Sequence, residues 1–178
     1  MSLLCLTLLW VCLNPDAARS QIAQTCGVDH SKPARRIFAN PDASLGWREY
    51  LDIKQVPRLE NALGELAQLW IGHDGKFLIS IQAPGEDFAS YTDYCFDIAG
   101  RLIWLKFQLR TAWGWGFRQD GPVFKDKFAP RKSEFFDTKT DLPVSRPEQA
   151  ASVPEALKPD LYTTESQLPF YSLLSKNH

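Results

Sequence analysis

Histidine is the scarcest of the chemically versatile residues in this 178-residue chain, occurring only as His30, His73 and His178. No two of them stand at the HxH or HxxxH spacing that would put both rings on one metal ion, so no metal site is expected. No Gly-x-Ser-x-Gly occurs, and the sequence places no Ser or Cys beside a His as an activated nucleophile. Carboxylates pair in two places. Glu86-Asp87 follows Pro84-Gly85, and Asp93 and Asp97 stand four apart on either side of Cys95. Such a pair could serve glycoside hydrolysis. Turn shaping and solvation are the stronger reading, and an Asp buried beside Cys95 would need a cation such as Arg101 or Arg110. Asp137-Thr138-Lys139-Thr140-Asp141 is too sparse in oxygens, and lacks the glycine, for a calcium loop. No motif implies a cofactor.

Two further sets carry more information. Cys26 and Cys95 are the cysteines left once Cys5 and Cys12 are assigned to a leader, and an even pair in an oxidising compartment points to one disulfide. Closing so long a loop is worth about 4 kcal/mol on a chain-entropy argument. Two unpaired buried thiols are the other reading. The second set is Arg110-Thr111-Ala112-Trp113-Gly114-Trp115-Gly116-Phe117-Arg118. Two Trp separated by Gly and bracketed by Arg can form a flat apolar platform with cationic edges, suited to a sugar ring or a partner's aromatic side chain. Arg110, Trp113, Trp115, Phe117 and Arg118 are therefore the candidate binding surface. The bland alternative, and the stronger one, folds both indoles back over an open end of the core.

The elements that would position these residues follow from apolar periodicity. Leu3–Leu13 is an apolar run too short to span a bilayer, which takes roughly 20 residues. Asn14-Pro15 and then Ala18-Arg19-Ser20 follow it, so residues 1–20 read as a signal peptide cut before Gln21. The positive n-region is missing, and Trp10-Val11 argues against a lipoprotein signal at Cys12. Residues 21–178 are expected to form one globular domain. Within it, 21–65 is an irregular entry segment with short helices near Ser44–Leu51 and Arg58–Leu66. Residues 66–141 form a meander, and 142–178 a docked tail.

In the meander, Leu66–Ile71 and Phe77–Ala83 flank Gly72-His73-Asp74-Gly75, a strong hairpin signal. Ser90–Asp97 and Arg101–Thr111 flank Ile98-Ala99-Gly100. In the latter strand Ile103, Leu105, Phe107 and Leu109 share one face, and Trp104, Lys106, Gln108 and Arg110 the other, the period of a sheet with one wet side. The fold class is α+β: an antiparallel β-meander of four to six strands, short N-terminal helices and an extended Pro-rich C-terminal tail. That tail holds five of the twelve prolines and no glycine, yet carries Leu161, Tyr162, Phe170, Tyr171, Leu173 and Leu174. It should wrap the domain, with a helical turn near Pro154–Leu157.

Tyr94-Cys95-Phe96-Asp97-Ile98-Ala99-Gly100-Arg101-Leu102 resembles a hairpin pattern found in many exported β domains. With Arg110-Thr111, Gly114-Trp115-Gly116, Phe135-Phe136-Asp137-Thr138-Lys139 and Leu168-Pro169-Phe170-Tyr171, the stretch Tyr91–Leu174 resembles exported bacterial proteins of unknown function. The resemblance implies no activity. At fold level the hairpin pattern is also similar to small helix-plus-meander modules of the cell envelope, such as the β-lactamase-inhibitor-protein-like and outer-membrane assembly lipoprotein folds.

Composition limits the partners. The chain is 44% apolar and 23% charged with a formal charge of −1, so no nucleic-acid partner is expected. From Arg101 to Lys132 basic side chains outnumber Asp120 and Asp126, which suits an anionic envelope surface or simply a solvated sheet face. Taken together the sequence points to an exported, periplasmic or extracellular module that binds a protein or envelope polymer. Membrane contact is expected only through the signal segment. The alternative is a small extracytoplasmic hydrolase whose site is assembled only in space.

Overall fold

Alternating apolar residues mark the central strands, and the chain adds unalternating strands at both ends to form a single ten-stranded antiparallel sheet. The structure, a computed structural model, describes residues 20–42, 44–57 and 64–175. The expected signal segment, most of the Arg58–Leu66 helix and His178 lie outside these residues. The strands are β1 (Arg36–Asn40), β2 (Arg48–Tyr50), β3 (Glu65–Ile71), β4 (Phe77–Pro84) and β5 (Phe88–Phe96). They continue with β6 (Leu102–Thr111), β7 (Trp115–Phe124), β8 (Lys127–Phe128), β9 (Lys132–Asp137) and β10 (Pro143–Val144). Their spatial order is β10-β9-β7-β6-β5-β4-β3-β1-β2, with β8 paired to β7 alone.

The protein is thus β-rich with a few short helices, and ten strands replace the expected four to six. The excess comes from both ends. The entry segment forms β1 and β2, and Arg48–Tyr50, read as helical from sequence, pairs with Ile37, Phe38 and Ala39 instead. Gly46 at φ +67° interrupts any helix there, and Arg36 of β1 binds Glu49 of β2 through both guanidinium and carboxylate (2.7 and 2.9 Å).

One face of the sheet carries the main core. Phe38, Ile79, Tyr94, Phe96, Leu105 and Leu109 lie at its centre, all at most 2% exposed. The C-terminal segment covers this face. Ala150, Leu168, Phe170 and Leu174 are buried in the core, with Phe170 stacked on Phe38 at 4.9 Å. The segment runs through 3-10 turns at Glu148–Ala151, Glu155–Leu157 and Glu165–Gln167 into a short helix α2 (Tyr171–Leu174). Tyr94 Oη donates to the Asp160 carbonyl (3.0 Å), and Leu102 N to the Thr163 carbonyl (2.9 Å). Arg36 donates to the Leu173 and Leu174 carbonyls, satisfying acceptors that a helix end leaves open.

Among the described residues a helix covers one end of the opposite face. An N-terminal helix, here α1 (Ser20–Cys26), sets Ile22 and Cys26 over Leu78, Cys95 and Trp104. Cys26 and Cys95 form a disulfide with a Cα separation of 5.7 Å across a sequence separation of 69. A bulge between Cys95 and Phe96 pairs Phe96 with Leu102. Leu102 therefore takes the place in the main core that strict alternation gives to Ile103, and Ile103 packs beside Trp104 on the α1 side. No helix among the described residues is long and apolar enough to cross a membrane.

Candidate functional site

The hairpin joining β6 to β7 carries the five residues singled out in the sequence. Its turn runs through Ala112 and Trp113 to Gly114, whose φ of +87° is the conformation glycine adopts at least cost. Neighbouring segments pin the turn on both sides. Ala112 N donates to the Asp87 carbonyl (2.8 Å) and Thr138 N to the Gly114 carbonyl (3.0 Å). Thr111 Oγ1 closes the hairpin neck by donating to the Trp115 carbonyl (2.6 Å).

The two indoles differ sharply. Trp115 is 5% exposed and meets Phe135 edge-on at 5.9 Å, whereas Trp113 is 45% exposed. The rings stack on each other at 6.0 Å with 25° between their planes. Phe117 is buried beside Phe135 at 4.9 Å. Trp113 is thus an outer leaf of aromatic surface laid on an inner one. The Trp115 Nε1–H is buried with no hydrogen-bond partner among the described residues, a costly arrangement.

The bracketing arginines project elsewhere. Gly116 pairs with Arg110 and Phe117 with Leu109, so the pleat sends Arg110 and Arg118 to the side opposite Trp115 and Phe117. There both guanidinium groups lie over the ring of Phe136, at 5.3 and 5.0 Å. Phe136 is fully buried although it faces the wet side, because its ring lies across Gly116, where a β-carbon has no room. Arg110 also binds Asp141 (2.6 Å) and the Thr138 carbonyl (3.1 Å), and Arg118 binds Glu134. The structure therefore brings together Trp113, Trp115 and Phe117, and separately Arg110 and Arg118. Phe136 escaped notice in the sequence; its signal is the small Gly116 placed opposite an aromatic.

The wet side next to α1 forms a cleft of about 240 Å³ lined by Lys106, Arg118, Asp120, Arg131, Lys132 and Glu134, among others. Asp93, Lys106, Asp120 and Lys132 lie in one cross-strand row and alternate in sign. Arg131 covers the Trp104 ring at 4.8 Å. Burial would raise the Glu134 carboxyl, but hydrogen bonds from Lys132 and Arg118 outweigh it and hold the group below its ordinary value.

The remaining candidates serve local structure. Asp97 accepts from the Ala99 and Arg101 amides (2.9 Å each) and pairs with the Arg101 guanidinium (2.8 Å). Its carboxyl, raised by partial burial, is brought below the usual range by these bonds. Asp137 shapes its turn through the Thr140 and Lys139 amides. His30 stacks on Trp70 at 5.0 Å, and His73 Nδ1 lies 3.0 Å from the Gly27 carbonyl. Among the described residues no three His, Cys, Asp or Glu are grouped to hold a metal ion. No protein-family model, curated protein or solved structure matches the chain.

Proposed function

We propose that the chain is a non-catalytic exported module that binds a protein or cell-envelope component through the Trp113 end of its sheet. The half-exposed Trp113 carries this reading. Its indole stacks on Trp115 at 6.0 Å, and backbone hydrogen bonds tie its turn to the Asp87 and Thr138 segments, which reduces the backbone freedom to be lost on binding. Large, rigid aromatic surface of this kind is what interfaces use as anchors. A sugar ring or a partner's aromatic side chain fits it. Arg110 and Arg118 lie on the other side of the sheet and enter the reading as the support of that wall, through Phe136.

The test is co-sedimentation of the purified protein with isolated cell-wall polymer and with washed envelope membranes, comparing wild type with Trp113→Ala. Retention of the wild type and release of the variant, with both melting alike, is the expected result. Equal retention of the two removes Trp113 as the contact and the reading with it.

A further inference from the structure

A second concave site lies at the opposite end of β6 from Trp113, where two turns meet. The turn before β6 is closed by Asp97 and Gly100: Asp97 Oδ1 takes two backbone amides, and Gly100 N donates to the Asp97 carbonyl (3.0 Å). Ile98 contributes nothing to that closure, yet this β-branched apolar residue stands 77% exposed where turns favour polar ones. It leans against the turn before β4, where a β-carbon on Gly75 would lie 3.0 Å from its Cγ2. Ile71, 48% exposed at the end of β3, faces the same space, with Phe77 and the buried Leu69 beside it. These apolar groups line a cleft of about 690 Å³. Small-molecule sites run from roughly 300 to 1,000 Å³ and combine an apolar lining with a few polar groups.

The charged lining is ordered. Glu165 lies at one end, its carboxylate against Gly100. Arg35 lies at the other, where its backbone amide donates to the Leu69 carbonyl (2.8 Å) and its exposed side chain is shared with the neighbouring cleft beside Trp70. Arg36 next to it is engaged by Glu49 and by the two carbonyls of α2. Arg35 has no ion-pair partner among the described residues, so a cation stands ready at one end of a cleft whose apolar floor is rimmed by charged side chains.

We infer that this cleft binds a single amphiphile with an apolar chain and an anionic head, a carboxylate or phosphate monoester. The chain lies on Ile71, Phe77 and Ile98, the head meets Arg35, and Glu165 disfavours the reverse orientation. The site is independent of the Trp113 surface, and either can fail without the other.

Isothermal titration with decanoate below its micelle concentration tests this, with 1-decanol and decyltrimethylammonium as neutral and cationic counterparts. Saturable one-to-one binding of decanoate is expected, about tenfold tighter than the cation. Ile98→Asp should weaken decanoate by about tenfold or more, through loss of apolar contact. Arg35→Glu should remove the preference for decanoate over decanol. Both side chains are exposed, so circular dichroism should be unchanged in either variant. No saturable binding of decanoate, undiminished binding by Ile98→Asp, or association only with anionic phospholipid vesicles would each overturn the inference.

Discussion

At the scale of single residues, parity along a strand decides what a motif can be. Trp115 and Phe117 occupy odd positions of β7 and Arg118 an even one, so no register could have put all three on one surface. Trp113 escapes the rule because it sits in the turn. The two tryptophans should therefore respond differently to truncation. Trp115→Ala removes a buried indole and should cost about 3–5 kcal/mol of stability, read by urea denaturation. Trp113→Ala should leave the urea midpoint nearly unchanged. Iodide should quench wild-type fluorescence more than that of Trp113→Phe, and equal quenching would mean that Trp113 is shielded. Tyr94 supplies a second test. Burial, and next the proximity of Tyr162, push its phenol well above the usual value, so the folded state keeps it neutral. Its contribution is complete below the ordinary pKa of 10.0 and is lost as pH rises toward the folded value. Tyr94→Phe should weaken this alkaline destabilisation while losing the tether to Asp160.

At the scale of elements, the tail is a structural part of the core. Leu168, Phe170 and Leu174 each bury a side chain worth about 1.5–3 kcal/mol, so truncation after Leu161 should lower stability by several kcal/mol and expose dye-binding apolar surface. An unchanged melting temperature would show the tail to be a mere tether. The docking was legible because an apolar content of that kind has no use in a solvated segment. The central hairpins were legible too, since Asp74-Gly75 and Gly100 mark turns between alternating runs. β1 was not. Ile37, Phe38 and Ala39 are all buried, so the strand shows no alternation, and five residues are too few to separate a strand from a helix. The bulge at Cys95 was hidden for a related reason: an extra residue shifts register without altering composition, and only cross-strand pairing reveals it. Of the candidate site, the aromatic half could be read from the Trp-Gly-Trp spacing. The arginine half could not, because its role depends on Phe136 arriving from β9.

At the scale of the whole molecule, a modest net charge conceals carboxylates that the fold holds ionised. Hydrogen bonds from Arg36 hold Glu49 below its ordinary value, and amides hold Asp137 below its own. Glu134 and Asp97 are lowered as well, against the effect of burial. Each folded pKa lies below the ordinary 4.5 for Glu or 3.8 for Asp, so the unfolded chain takes up protons first as pH falls. Their stabilisation is complete above those values and disappears as pH drops through the folded ones. Urea midpoints should therefore fall between pH 7 and pH 3, and less steeply in Glu134→Gln. The order of the sheet also has a consequence in time. Strands that pair are neighbours in the chain, or separated by a single short strand, so the sheet can zip from its hairpins with little loop closure. The bond from Cys26 to Cys95 spans 69 positions and fastens a helix onto strands that can assemble without it. It should act as a latch that closes after assembly. Replacing both cysteines with Ala should leave the refolding rate nearly unchanged and speed unfolding by about 10³-fold, the whole of the ~4 kcal/mol falling on the unfolding limb of a denaturant chevron.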